Sequence, residues 1–238
     1  AMPYPYYPPV NSYSDGNSSV EDMVYAARDF GYKYVALTDH SKNLGVAGGL
    51  HESQLAERNE EIDELNSRLD DFTVLKGTEV DILEDGSLDY SDDVLEPLDW
   101  VIASVHDHFN MDESEMTRRI ISAIRNPCVH AIGHLTGRLI NQREPYPVNI
   151  PDVIEACAEE NVVLELNGHP DRLDVTDLVC REAKDSGVKI AIGTDAHTAS
   201  HYSLVSFGVT TARRGWLEKE DVVNCLGVEE LKDLLKSE

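Results

Sequence analysis

Positive charge is scarce in this chain of 238 residues: 20 lysines and arginines stand against 45 aspartates and glutamates, for a formal net charge of −25 at pH 7. Such a field repels phosphate backbones unless a local basic patch or bound metal reverses it, so the chain alone is not expected to capture nucleic acid at long range. The acid excess suits an ordinary acidic surface or the hydrated surface of a protein from a salty cytoplasm. Long hydrophobic runs are missing too. No stretch approaches the roughly 20 apolar residues that a membrane helix needs, which argues against a membrane partner. Cysteine is sparse and unpaired in sequence: Cys128, Cys157, Cys180 and Cys225 form no C-x-x-C, so neither a zinc ribbon nor a disulfide scaffold is indicated and a reducing cytoplasm is the expected compartment. Residues 1–9 (AMPYPYYPP) lack a basic start and an apolar stretch, so they do not read as a signal peptide, and Ala1-Met2 reads as a cloning remnant. No G-K-[ST] follows Gly45, Gly48 and Gly49, and no G-x-S-x-G surrounds Ser41 or Ser104, so a nucleotide P-loop and a serine hydrolase elbow are both unsupported.

What the chain has is alternation. From about residue 18, helix-period segments alternate with short β-branched runs, the pattern of βα units around a parallel sheet or barrel. Ser18-x-x-Glu21 reads as a capping box opening a helix whose apolar face is Val20, Met23, Val24, Ala27 and Phe30, stopped by Gly31. Strands are expected at 34–37, 74–80, 100–105, 129–133, 162–166 and 189–193, with a last strand-like run at 206–210. Helices are expected over about 53–69, from about Asp112, from Pro151 and over 228–235. The length suits a single domain.

In barrels of this kind the C-terminal ends of the strands carry the chemistry, and the polar clusters of this chain fall there. Thr38-Asp39-His40 ends one strand, Glu79 and Asp81 the next, then Ser104-Val105-His106, Gly133-His134, Glu165-Leu166-Asn167 and Thr194-Asp195-Ala196-His197. A single histidine at a strand end is more often a hydrogen-bonded packing residue than a ligand. Six such positions, His40, Glu79, His106, His134, Asp195 and His197, offer nitrogens and carboxylate oxygens to one rim. Mixed N/O ligation suits zinc, manganese or iron(II) rather than calcium.

TDHS at 38–41, KGTEVDI at 76–82, ASVH at 103–106, GHLTGRL at 133–139, ELNGHPDRLD at 165–174 and GTDAH at 193–197 occur in this order. The set resembles the PHP (polymerase and histidinol phosphatase) family of metal-dependent phosphoesterases. VAGGL at 46–50, DGSLDY at 85–90 and TARRGW at 211–216 are similar to the C-terminal PHP domain of family-X DNA polymerases. The resemblance implies an α/β fold, a distorted seven-unit (β/α) barrel, here over residues 17–238, with two or three divalent transition metals (zinc, manganese or iron) at the strand ends. By that resemblance Glu79, His106 and His134 hold one metal, with Glu79 bridging toward a neighbour that also uses Asp195. His40 and His197, with Asp15, hold a third. His40 and Asp195 are the implied catalytic residues, while Arg138 and Arg172 clamp the phosphate. The implied reaction is hydrolysis of a phosphomonoester or of the 3′ end of a nucleic acid, with cations on both sides of an in-line displacement. The alternative is a non-catalytic, metal-stabilised module that supports an adjoining polymerase domain or another partner.

One departure stands out. The family's first strand reads D-L-H-x-H-S before x-x-S-D-G, whereas this chain has Tyr6-Tyr7-Pro8-Pro9-Val10-Asn11 before Ser12-Tyr13-Ser14-Asp15-Gly16. The two histidine places fall on Pro8 and Val10, and consecutive prolines remove backbone donors that a central strand uses. Residues 1–16 therefore read as an aberrant N-terminal segment, with one metal site crippled and the first strand open to displacement. Degeneration to a binding role, an altered start and compensating ligands from elsewhere all fit this loss. His108 and His169 are the nearest substitutes, although a solvated loop histidine is the plainer account of each. His51, His130 and His201 belong to no motif.

Overall fold

The structure is a computed structural model that describes residues 9–10 and 18–235. Its seven strands are β1 (Pro9–Val10), β2 (Tyr34–Leu37), β3 (Thr73–Asp81), β4 (Trp100–Ser104), β5 (Ala131–Ile132), β6 (Val163–Asn167) and β7 (Ile190–Gly193). They pair in parallel in the order of the chain, each beside its predecessor. A doubly wound sheet reverses its strand order at a switch point. No reversal occurs here, so the winding is that of a distorted (β/α) barrel, and every strand delivers its C-terminal end to the same rim. β2 and β4 to β7 are buried along their whole lengths, as parallel strands covered on both faces are.

The helices are α1 (Val20–Asp29), α2 (Glu52–Asn66), α3 (Asp92–Leu95), α4 (Glu113–Ile124), α5 (Ile150–Glu160), α6 (Asp177–Asp185), α7 (Val205–Arg214) and α8 (Val228–Leu235). Their starts are written in the sequence. Asp112, Asn149 and Thr176 accept the backbone N–H groups of Glu115, Asp152 and Val179, and Pro151 sits in the first turn of α5, where its missing donor costs nothing. The cap of α1 lies one residue later than the sequence pattern suggests: Ser19, not Ser18, accepts from the Asp22 N–H at 3.1 Å. Val20, Met23, Val24 and Ala27 are buried as expected, but Phe30 is half exposed. In α2 the residues Leu55, Ile62 and Leu65 pack inward, each contributing about 1.5–3 kcal/mol by burial. Arg58 on the same face is completely buried, donating to Leu37 O at 3.0 Å and to Gly77 O. It thereby ties the end of β2 to the middle of β3 just beneath the rim.

The run 206–210, expected as a strand, lies inside α7. Val205, Val209 and Ala212 recur at helical spacing and pack on the core, and the Thr210 and Thr211 hydroxyls donate to the carbonyls of Ser206 and Phe207 four residues back. The β-branched content misleads because hydroxyls bonded to the preceding turn and inward packing make these residues acceptable in a helix. Gly208 brings α7 against the sheet: a Cβ there would press on Ile192 and on the backbone of Gly168.

All four cysteines are free. No helix among the described residues is long and apolar enough to cross a membrane.

Candidate metal centre

β3 ends in Glu79-Val80-Asp81, and the two-residue period of a strand puts both carboxylates on one face. His40 lies beside Glu79 through a parallel bridge, His106 follows the end of β4, and His134 follows the end of β5. The result is one buried carboxylate ringed by three imidazoles. Glu79 Oε2 is 3.5 Å from His40 Nδ1, while Oε1 is 3.3 Å from His106 Nε2 and 3.0 Å from His134 Nε2. The rings of His40 and His106, and of His106 and His134, meet edge to face at 5.1 Å. Donor atoms of His40, Glu79 and His106 all lie within 4.8 Å of one another.

Asp81 decides what His106 can do. Its Oδ1 is 2.5 Å from His106 Nδ1, its Oδ2 accepts from the Asn43 amide at 2.9 Å, and its own N–H donates to Ser41 Oγ. A carboxylate on Nδ1 holds the proton there, so the Nε2 lone pair of a neutral His106 faces the carboxylate oxygen of Glu79. This buried Nε2 makes no hydrogen bond, nor does His134 Nδ1. Two facing acceptors are stable only with a positive charge between them, either a second proton or a cation. Burial opposes charge on His106, yet the adjoining carboxylates of Asp81, which accepts from Nδ1, and Glu79 raise its pKa to about 10. Burial likewise pushes the Glu79 carboxyl upward, but the surrounding imidazoles, His40 first, hold it well below its usual range. Buried nitrogens without a hydrogen-bond partner, a carboxylate in reach and a carboxylate behind the imidazole form a donor set that fits a transition-metal ion.

The other half of the rim is built on Asp195, two residues past β7 and in the left-handed region at φ 50°. Arg172 Nε donates to its Oδ2 at 3.0 Å and Asn167 Nδ2 lies 3.3 Å from the same oxygen. Burial raises the Asp195 carboxyl, but the Arg172 charge together with the imidazoles of His197 and His134 turns the net shift downward. His197 Nδ1 donates to the Asp195 carbonyl at 2.7 Å, leaving Nε2 as its lone-pair nitrogen. Glu165 stands between the two halves. Its Oε2 accepts the His134 N–H at 2.8 Å, and burial together with Asp195 and Glu79 holds its carboxyl well above the usual range. Gly193 makes room for it, since a Cβ there would overlap the Glu165 carboxylate. A small cleft lined by Glu79, His134, Glu165, Asn167 and Asp195 joins the two centres.

The structure thus brings together His40, Glu79, His106 and His134, and places Asp195, His197 and Arg172 beside them. Asp15, Pro8 and the x-x-S-D-G segment lie outside the described residues. Arg138 turns to the backbone: its guanidinium donates to the carbonyls of Arg172, at 2.7 Å, and Leu173, tying its loop to theirs. His108 is exposed, 3.8 Å from the carboxylates of Glu84 and Asp107, and joins no cluster. The sequence reading left Asp81, Glu165 and Asn167 without roles. Their signal was present, since Asp81 shares the strand face of Glu79, and Glu165 and Asn167 share a face of β6.

A family model described as PHP domain matches residues 11–169. The chain belongs to the PHP family. It is 42% identical over 226 residues, 95% of its length, to the DNA polymerase/3′-5′ exonuclease PolX of Bacillus subtilis (strain 168), of which it spans 40%. It is 30% identical over 229 residues, 92% of the chain and 88% of the relative, to a probable phosphatase of Thermoanaerobacter sp. (strain X514). Among solved structures, histidinol phosphate phosphatase from Lactococcus lactis, complexed with zinc, L-histidinol and phosphate, superposes with a TM-score of 0.68 at 18% identity, covering 90% of this chain and 95% of that one. That likeness bears on the fold.

Proposed function

We propose that this protein is a metal-dependent hydrolase of phosphoester bonds, acting on a phosphomonoester or the 3′ end of a nucleic acid. The observation that carries the reading is the buried His106 Nε2, fixed by Asp81 and facing Glu79 without a hydrogen bond, a position that a cation can fill in place of a second proton. His40, Glu79, His106 and His134 are the residues to hold it, with Asp195 and His197 serving a second or third divalent ion, zinc, manganese or iron. The family resemblance supports Asp15 as a ligand beside His40 and His197. When bound, such cations offset charge on phosphoryl oxygens and lower the pKa of water.

The chain's own residues do the rest. His40 and Asp195 act next to the reacting atoms. Arg172, held by Asp195 through Nε, has an Nη1 with no hydrogen-bond partner among the described residues, and directs it at a phosphoryl oxygen. Arg138 steadies the Arg172 loop from behind. The names of the phosphatase and polymerase/exonuclease relatives support the substrate class.

A second reading, a non-catalytic metal-stabilised module attached to a polymerase, is favoured by β1. Its backbone pairs with β2, Pro9 to Ala36 and Val10 to Leu37, yet valine carries no metal donor at position 10, where the family places a histidine. The test is elemental analysis followed by assays on p-nitrophenyl phosphate and on 3′-labelled single strands with zinc, manganese and iron. Hydrolysis that tracks metal content and is lost in Glu79→Gln supports the enzyme. Metal binding without hydrolysis in any of these assays leaves the module.

A further inference from the structure

Three histidines gather beyond Asp195: His169, two residues past β6; His197; and His201, in the 3-10 turn Ala199–Leu204. The rings of His169 and His201 meet edge to face at 5.6 Å, and those of His197 and His201 at 6.5 Å. Backbone partners set the tautomer of each. A carbonyl can only accept, so His197 carries its proton on Nδ1, toward Asp195 O, and its lone pair on Nε2. A backbone N–H can only donate, so the nitrogens it reaches must be unprotonated. His169 Nδ1 accepts the Asp171 N–H at 3.3 Å, and His201 Nδ1 accepts the His197 N–H at 3.4 Å. His169 and His201 therefore carry their protons on Nε2. Neither Nε2 has a hydrogen-bond partner among the described residues, and both side chains are half buried.

A nitrogen bearing a proton cannot ligate a cation, but it can donate to an oxyanion. His169 stands on the loop of Arg172, whose N–H donates to His169 O at 2.9 Å, and Asn167 Oδ1 accepts the His169 N–H at 3.0 Å; His201 reaches it from the turn after β7 through the edge-to-face ring contact. The position needs such donors. A net charge of −25 disfavours the approach of a phosphate to the rim.

We propose that His169 and His201 form an anion subsite, two Nε2–H donors that hold a substrate phosphate beside Arg172, rather than further metal ligands. The inference deepens the phosphoester reading and rests on it for the nature of the substrate. The two residues position the phosphate and set the affinity for it, while the metal cluster around Glu79 is independent of them.

The test uses the protein as purified, with inorganic phosphate as the probe and calorimetry as the readout. The double variant H169L/H201L, which removes both donors, is expected to weaken phosphate binding about tenfold or more, with metal content by elemental analysis unchanged. In H169Q/H201Q the amide nitrogen replaces Nε2, and binding should return to within about threefold of the parent. Long-range 1H–15N spectra of histidine-labelled protein should show Nε2–H tautomers for His169 and His201 and Nδ1–H for His197. Phosphate binding equal to the parent in the leucine variant, absence of phosphate binding in the parent, or an Nδ1–H tautomer at either residue overturns the inference. So does metal content that falls in the leucine variant, which would make the trio a metal site. Because binding and tautomers are read without turnover, a parent that binds phosphate but hydrolyses nothing defeats the enzymatic reading and leaves the subsite standing.

Discussion

The two halves of the rim solve the same electrostatic problem differently. Around Glu79 one buried carboxylate is answered at close range by three imidazoles, with Arg172 acting on it only at longer range, and Asp81 turns His106 so that its Nε2 faces the carboxylate. Around Asp195 the carboxylate is answered by the permanent charge of Arg172 and the amide of Asn167. The first arrangement balances only when a proton or a metal joins it. The second is balanced as it stands. A rim with one half waiting for a cation and the other already neutralised can hold metal on one side and keep an anion-recognising arginine on the other.

The strongest attempt to break this comparison is Glu79→Gln set against Asp195→Asn. Losing Glu79 should abolish metal retention in its half and lower kcat/KM on the order of 10³-fold or more, whereas Asp195→Asn should leave the Glu79 metal in place by elemental analysis. Equal metal loss in both would show that the halves act as a unit. Next in size is Asp81→Asn. Its amide can no longer hold the Nδ1 proton as a carboxylate does, so metal affinity and activity should fall about 10- to 100-fold, as measured by chelator competition, while Ser41 and Asn43 keep the fold.

A smaller and opposite effect is expected from rebuilding the first strand. Histidines at positions 8 and 10, with Pro9 also replaced, should raise metal stoichiometry and phosphoesterase rate together, because β1 already runs parallel to β2 and a donor is what residue 10 lacks. Unchanged stoichiometry by elemental analysis would place the limit of the site elsewhere.

The smallest effect belongs to neither half. His130, just before β5 at the opposite end of the sheet, accepts the Val101 N–H at 2.9 Å, and burial lowers its pKa to about 4, with Asp99 opposing. The unfolded chain then binds this proton more readily than the folded one between about pH 6.5 and 4. The stability it contributes is complete above the unfolded value and is lost as pH falls through that window, about 3 kcal/mol in full. Urea unfolding at pH 7 and pH 5 should show a flatter pH dependence in His130→Gln. A slope unchanged by that substitution would assign acid sensitivity to the rim.

Much of this was legible in the residues. The six strands from Tyr34 to Gly193 appear within about two residues of their expected places, because each is a compact β-branched run bounded by turn residues. The rim clusters were visible because each ends such a run. The α7 error has the opposite cause: the β-branched content of 206–210 resembles a strand, and the packing of Val205, Val209 and Ala212 on the core, which overrides it, depends on what lies across the gap. Arg138, expected beside the phosphate, instead binds carbonyls 34 and 35 residues away, a partner choice that no local pattern announces.

By itself the sequence determined the βα alternation, the helix starts and the residues that reach the strand ends, since these follow from backbone propensity and from hydrophobic periods of two and 3.6. It also determined the missing histidines, which no fold can supply at a proline and a valine. Tertiary structure decided which nitrogen of each imidazole carries a proton. That choice rests on a single partner: the Asp81 carboxylate for His106, a carbonyl for His197, and backbone N–H groups for His169 and His201. Whether a histidine ligates a metal or donates to an anion is therefore settled by the atom behind its ring, placed there by a loop or a neighbouring strand, and residue type alone leaves it open.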